Sequence, residues 1–171
     1  MRLAIVRRNA GPSGEAERKD VVMDDARSVR DDLVGCRIDD LAVGMTARYA
    51  RTVTEADIVL FAGVSGDHNP VHMNEVYAAG TMFKGRIAHG FLSASLISTT
   101  IGTRLPGPGS IYLSQNLRFK APVRVGDTVE ARVTVTGVYP EKNRVALQTN
   151  CYVGDRQVVE GDALVMVPAG S

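Results

Sequence analysis

The sequence has few cysteines, little net charge and no long hydrophobic run, and each absence excludes a class of protein. Its two cysteines, Cys36 and Cys151, form no CxxC pair and are too few for a disulfide framework or a cysteine zinc site. The 20 Lys and Arg residues against 19 Asp and Glu leave a formal charge of +1, which offers no basic field for nucleic-acid phosphates. No apolar stretch approaches the roughly 20 residues of a membrane helix. We therefore expect a protein with neither nucleic-acid nor membrane partners.

The amino-terminal segment also lacks features that a targeting or folded segment would have. The apolar run of residues 3–6 is far shorter than the roughly 7–15 residues of a secretory h-region, so we expect a cytoplasmic location. Residues 1–35 carry seven basic and seven acidic residues and no sustained apolar period, which is typical of a solvated, disordered extension. An alternative is that translation begins later, for instance at Met23. We expect residues 36–171 to form a single folded domain. A length of 171 residues and a hydrophobic content of 44% are ordinary for one globular domain.

The first part of this domain has helical and strand signals in alternation. They predict a strand over 46–53, a helix from the N-cap Thr54 to Gly63 or Gly66, a helix from Asn69 through Ala79, and a helix over 90–101. The last of these is apolar on nearly every side, with small serines interspersed, which is typical of a buried central helix.

The second part changes to a period of two. Apolar positions alternate over 111–119, 129–135, 145–153 and 159–167, separated by turn residues. Four such strands predict an antiparallel meander with one buried face, and the apolar helix is the natural cover for that face. The expected fold class is α+β, a single domain in which an antiparallel sheet wraps around a central helix.

Chemistry is concentrated between the two parts. Asp67 and His72 flank an Asn-Pro helix start, so a carboxylate and an imidazole lie near each other on firmly held backbone. Gly90 begins the apolar helix, where a backbone N–H with the helix dipole behind it can stabilise negative charge on a carbonyl oxygen. An acid/base pair with an oxyanion donor is equipment for chemistry beside a carbonyl.

Three stretches carry a family resemblance. They are Ser65-Gly66-Asp67-His68-Asn69-Pro70-Val71-His72, Ala88-His89-Gly90, and Gly109-Ser110-Ile111-Tyr112-Leu113-Ser114-Gln115-Asn116-Leu117-Arg118-Phe119. Together they closely resemble the MaoC-like, (R)-specific enoyl-CoA hydratases over roughly residues 43–167. The resemblance implies the hotdog fold, catalytic roles for Asp67, His72 and Gly90, and supporting roles for Asn69, which braces the loop, and Ser98, which lines the site.

The resemblance also implies a reaction. Water would add reversibly and syn to a trans-2-enoyl-CoA to give an (R)-3-hydroxyacyl-CoA. No metal or cofactor is expected, because conjugation already activates the thioester. Which of Asp67 and His72 makes which proton transfer stays open, as do the acyl-chain length and the pathway. Exposed sheet edges, and the edge-to-edge pairing of hotdog relatives, predict a homodimer that binds the acyl-CoA near the subunit boundary.

Less specific readings of the same residues compete with this one. Asp67 and His72 could be a structural turn, and His68 with His72 has the i,i+4 spacing of a zinc helix, although Pro70 lies between them. His89 is expected to be structural and to position the turn before Gly90. Alternative functions are a hotdog acyl-CoA thioesterase and a non-catalytic acyl-binding subunit of a dehydratase.

Overall fold

In the computed structural model, which describes residues 33–170, one five-stranded antiparallel sheet packs against one long helix. The strands are β1 (Thr46–Thr52), β2 (Ile111–Phe119), β3 (Thr128–Tyr139), β4 (Arg144–Val153) and β5 (Arg156–Met166). The helices are α1 (Glu55–Ser65), α2 (Pro70–Met73), α3 (Glu75–Ala79) and α4 (Gly90–Thr103), and Ile38–Asp40 and Pro140–Lys142 form 3-10 turns. The α+β fold class predicted from the sequence is confirmed.

The core lies between α4 and the alternate residues of the three consecutive strands β3, β4 and β5. Val133, Leu147 and Val165 are fully buried on this face, and Ile97 and Ile101 of α4 pack against it. Burial raises the pKa of Cys151 to about 12, so this thiol is an unreactive part of the core. None of the helices in residues 33–170 is long and apolar enough to cross a membrane.

Strand β2 differs from its prediction. The sheet order is β1-β3-β4-β5-β2, so β2 pairs with β5 at an edge rather than preceding β3 in a meander. A register shift between Tyr112 and Ser114 also breaks its alternation. Ile111, Leu113 and Phe119 consequently remain 52%, 41% and 51% exposed. A two-residue period shows that a strand has two unlike faces, but it does not show that a neighbour covers either of them.

The helix predicted over 69–79 is two helices. Asn74 is extended, with φ −126° and ψ 110°, and its N–H bonds to Pro70 to close α2. Its side-chain oxygen then accepts from the Tyr77 N–H and caps α3. Asparagine favours caps because its short side chain competes for backbone groups, and the apolar pattern alone does not reveal that competition.

Helix α1 begins and ends where the sequence indicates. The Thr54 hydroxyl accepts from the Asp57 N–H, and the Asp57 carboxylate accepts from Thr54 in return. The bonds that the Thr54 hydroxyl and then its backbone N–H donate to the carboxylate lower the pKa of Asp57. Gly66 closes the helix in the left-handed conformation at φ 76°, which glycine adopts without strain.

Gly35 is hydrogen-bonded to the loop that follows α4. Its N–H bonds to Pro108 O, and the Cys36 N–H bonds to Pro106 O at 2.7 Å. A Cβ on Gly35 would lie 2.3 Å from the same Pro108 oxygen, so this residue packs against the loop after α4. The predicted disordered extension falls almost wholly on residues 1–32, outside the described residues.

Candidate active site

The segment between α1 and α2 is exposed, yet its own polar groups hold it. The Asp67 N–H donates to Ser65 Oγ, and Asp67 Oδ1 accepts from the Asn69 N–H, each at 3.2 Å. Asn69 Oδ1 accepts from the Val71 N–H and caps α2, with Pro70 at the first helical position. Asn69 thus caps α2 and bonds to the Asp67 side chain, and its supporting role in the site stays a prediction.

His72 is the buried member of the predicted pair. Its Nδ1 lies 2.8 Å from Ile87 O, and because a carbonyl oxygen only accepts, Nδ1 carries the proton. The Nε2 lone pair therefore faces Asp67 Oδ2, which lies 4.0 Å away. The structure brings the two predicted residues together, with the imidazole buried and the carboxylate exposed.

The segment before α4 supplies the Ile87 oxygen, and Arg124 holds this segment in place. Arg124 donates to Phe83 O and, at 3.1 Å, to Arg86 O. The Arg86 side chain forms ion pairs with Glu55 and Glu75. Arg86 and Arg124 lie 38 positions apart, so sequence spacing gave no signal for this support.

Gly90 is the first residue of α4, directly after the N-cap His89. Within residues 33–170 no carbonyl accepts a hydrogen bond from its backbone N–H, as expected at the start of a helix. A Cβ at this position would lie 2.7 Å from the ring of Phe119. Glycine is thus required for the close approach of Phe119, a constraint that the sequence did not reveal.

A cavity of about 300 Å³ opens beside His72 and Gly90. Its walls are mostly apolar, and the lining includes Phe91, Ser93, Phe119, Lys120, Val123 and Val159. Phe91 and Phe119 contact each other edge to face, with ring centroids 5.5 Å apart. An apolar cavity with a few converging polar groups is the usual form of a small-molecule site.

His89 is more deeply involved in the site than its sequence position suggested. It is 2% exposed, and its ring lies 3.9 Å from that of His72 and 5.0 Å from that of Phe61. Its Nε2 lies 2.9 Å from Asp67 O. The sequence placed His89 next to Gly90, but the contact with Asp67 spans 22 positions and appears only in the fold.

Two other predicted positions lie apart from the pair. Ser98 is on the exposed face of α4 and does not line the cavity, whereas Ser93, five positions earlier, is buried and does. The supporting role of Ser98 stays a prediction. His68 is exposed and its Nδ1 contacts Gly66 O at 3.0 Å, so its ring is tied to its own loop.

Within the described part of the chain, the side chains grouped closely enough to hold a metal ion are those of Asp67, His72 and His89. Their ligand atoms lie within 4.8 Å of one another. His68, which lies four positions before His72, is not part of this group. Each of the two imidazoles in the group already bonds a backbone carbonyl through one nitrogen, which leaves one nitrogen on each ring.

Comparison with known proteins decides the family. The family described as MaoC like domain matches residues 41–160. The chain belongs to this family. It is 58% identical over 139 residues to an (R)-specific enoyl-CoA hydratase of Rhodospirillum rubrum, covering 81% of this chain and 96% of that protein. A 3-hydroxybutyryl-CoA dehydratase of Methylorubrum extorquens is 51% identical over 130 residues, covering 76% and 83%.

Solved structures of family members agree with the fold. An unliganded R-hydratase of Pseudomonas aeruginosa superposes with a TM-score of 0.75 at 48% identity, covering 80% of this chain and 88% of that one. An (R)-hydratase of Aeromonas caviae gives a TM-score of 0.72 at 44% identity, covering 75% and 98%. The chain is thus a MaoC-like protein of hotdog fold, as the sequence resemblance predicted.

Proposed function

We propose that this MaoC-like chain is an (R)-specific enoyl-CoA hydratase that adds water reversibly to trans-2-enoyl-CoA thioesters. The observation that carries the proposal is the Asp67–His72 pair beside the free N–H of Gly90 at an apolar cavity. Relatives that are 58% and 44% identical are named for this activity, and the 51% identical relative is named for the reverse direction.

The separation of the pair suits one water molecule. A water oxygen about 2.8 Å from each of two acceptors, with its hydrogens about 105° apart, holds those acceptors about 4.4 Å apart. Asp67 Oδ2 and His72 Nε2 are 4.0 Å apart, and the Nε2 lone pair is available because Nδ1 donates to Ile87 O. Both groups therefore accept from the same water and direct its oxygen at C3.

The backbone N–H of Gly90 stabilises the negative charge that the addition places on the thioester oxygen. As the O–C3 bond forms, electrons move through the double bond onto the thioester oxygen. A donor at the start of a helix of 14 residues stabilises that oxygen through its hydrogen bond and the helix dipole. The charge appears only in the transition state and enolate, so this interaction accelerates the reaction rather than merely tightening binding.

Asp67 and His72 account for the proton that the reaction moves. One O–H bond of the water breaks as O–C3 forms, and Asp67 and His72 together take up the proton and return it to C2. Water and proton are delivered from the side on which the pair lies, which gives syn addition. The scheme needs no metal or cofactor, since the conjugated thioester is already electrophilic.

One assay separates this function from the alternatives. Crotonyl-CoA is incubated with the purified protein, and the enoyl absorbance and free thiol are followed in parallel. Loss of absorbance without thiol release is expected. Thiol release would instead indicate a thioesterase, and neither signal would indicate a non-catalytic acyl-binding subunit or a different acyl chain.

We also propose a homodimer. Within residues 33–170 no strand pairs with the outer edge of β2. Ile111, Leu113 and Phe119 of this strand are exposed, and Phe91 beside them is 63% exposed. Such an edge favours pairing with another strand, and a two-fold dimer is the commonest closed arrangement. The acyl-CoA would lie near this boundary, since Phe119 and Phe91 also line the cavity. Light scattering at micromolar concentration should give twice 18.3 kDa, whereas a mass near 18.3 kDa contradicts the proposal. A cytoplasmic location stays a prediction from the sequence.

A further inference from the structure

His89 connects the three parts of the site, although the proposed reaction assigns it no chemical step. It bonds Asp67 through Nε2, contacts His72 through its ring, and adjoins Gly90 through the peptide bond. A side chain that is 2% exposed is itself fixed by packing. It can therefore fix the groups that it contacts.

The hydrogen-bond partners determine which nitrogen of His89 carries the proton. Asp67 O is a carbonyl and only accepts, so Nε2 is the donor. Nδ1 is buried and has no hydrogen-bond partner within residues 33–170. A proton on Nδ1 would be a buried N–H donor without an acceptor, which costs free energy. A lone pair on Nδ1 is therefore the favoured arrangement. His89 and His72 are thus opposite tautomers, with protons on Nε2 and Nδ1 respectively.

The bond from His89 is what attaches Asp67 to the rest of the fold. The other hydrogen bonds of Asp67 within residues 33–170 run to Ser65 and Asn69, two positions away on either side. Those local bonds shape the turn, but they do not fix its distance from His72. The bond from His89 does, because the same ring that donates to Asp67 also packs on the imidazole of His72.

We propose that His89 is a positioning residue, which sets the Asp67–His72 separation by donating Nε2–H to the Asp67 carbonyl while its ring packs against His72. The inference rests on the proposed function for its kinetic consequence. Its structural content, the tautomer and the bond, is independent of the substrate. Misplacement of a catalytic group by about 1 Å can cost roughly 10²-fold in rate, and this sets the scale of the expected effect.

Two variants separate the donor from the ring. His89→Phe keeps an aromatic ring against His72 and removes the donor, whereas His89→Gln removes the ring and keeps an N–H that can reach Asp67 O. We expect His89→Phe to lower kcat for crotonyl-CoA hydration by about 10²-fold, with unchanged binding of butyryl-CoA. His89→Gln should recover at least a tenth of the wild-type kcat.

The opposite pattern would overturn the proposal. A folded His89→Phe variant within threefold of wild-type kcat, or a His89→Gln variant as slow as His89→Phe, means that the Nε2–H donor does not set the position of Asp67. A purely structural role would also weaken the binding of butyryl-CoA along with the rate, which the expected result does not.

Nitrogen NMR of the wild-type protein gives a test that needs no variant to be active. The chain has three histidines, so the ring nitrogens of ¹⁵N-labelled protein are few enough to assign. The proposal expects an Nε2–H tautomer for His89 and an Nδ1–H tautomer for His72, and an Nδ1–H tautomer for His89 contradicts it. If wild-type protein hydrates no enoyl-CoA, the proposed function fails, and this spectrum still decides whether Nε2 of His89 carries the proton that the bond to Asp67 O requires.

Discussion

The three consecutive strands and the loop that carries Asp67 are held by opposite means. In β4, Val145, Leu147 and Cys151 are fully buried and contribute through apolar packing. The loop residues 66–69 are all exposed, and side-chain hydrogen bonds to backbone fix them. His72 lies between these regions, buried at the end of an exposed segment. Stability and chemistry are thus carried by different residues, and mutations should separate them.

The largest difference between the effect on kcat and the effect on stability is expected at Asp67 and His72. Asp67→Asn and His72→Gln should each lower kcat by about 10²–10⁴-fold, the usual cost of losing a positioned acid or base. Asp67 is exposed, so Asp67→Asn should leave Tm nearly unchanged. Crotonyl-CoA kinetics and thermal unfolding on the same preparations measure both effects. More than a tenth of wild-type activity in either variant would move catalysis to other residues.

Exposed His68 provides the matched control for that experiment. It lies four positions before His72, and its contact is with Gly66 O in its own loop. His68→Gln should keep kcat within a few-fold of wild type. A loss comparable to that of His72→Gln would show that any change in this loop disturbs the site, and the assignment to His72 would lose its support.

The next largest effect is expected at Gly90, where the functional group belongs to the backbone. Gly90→Val should lower kcat by about 10²–10³-fold if its N–H holds the enolate oxygen, while butyryl-CoA still binds. The added Cβ also meets the Phe119 ring at 2.7 Å, so part of the loss could come from displaced Phe119.

A double variant distinguishes these two causes. Gly90→Val with Phe119→Ala removes the ring that the new side chain would contact. The rate should stay low, because the side chain still blocks the approach of the thioester oxygen. Recovery to the rate of Phe119→Ala alone would assign the glycine to packing and place the oxyanion donor elsewhere.

How far the sequence predicts this molecule follows from the same contrast. Burial on one face gives the sequences of β3, β4 and β5 an apolar period of two, and helix starts favour capping residues such as Thr54 and Asn69. These strands and helix starts could therefore be predicted from the sequence. The sequence pattern does not show which strand lies at a sheet edge, and the prediction that β2 belongs to the meander was therefore wrong. Contacts between distant residues leave none either, which is why the bond from His89 to Asp67 O and the Phe119 ring over Gly90 emerge only from the fold.

Substitutions in the core should lower stability and leave kcat unchanged, the opposite of substitutions in the loop. Leu147→Ala, at a fully buried position in the centre of β4, should lower the free energy of unfolding by about 2–5 kcal/mol. The folded fraction should keep near wild-type kcat, because Leu147 does not line the cavity. Denaturant unfolding at fixed protein concentration measures the first effect. Gln148→Ala, on the exposed face of the same strand, should change stability by less than about 0.5 kcal/mol.

The smallest effect is expected at Asn69, where the two regions meet. Its side-chain oxygen caps α2 by accepting from the Val71 N–H, and loss of such a cap costs about 0.5–2 kcal/mol. Asn69→Ala should therefore lower the free energy of unfolding by about 1 kcal/mol. It should reduce kcat less than Asp67→Asn does, because α2 also remains attached through the bond from His72 Nδ1 to Ile87 O. Asn69→Ser keeps an acceptor at the cap and should recover most of both losses. If Asn69→Ser is instead as slow as Asp67→Asn while its stability is restored, the Asn69 side chain acts on the substrate and not only on the helix.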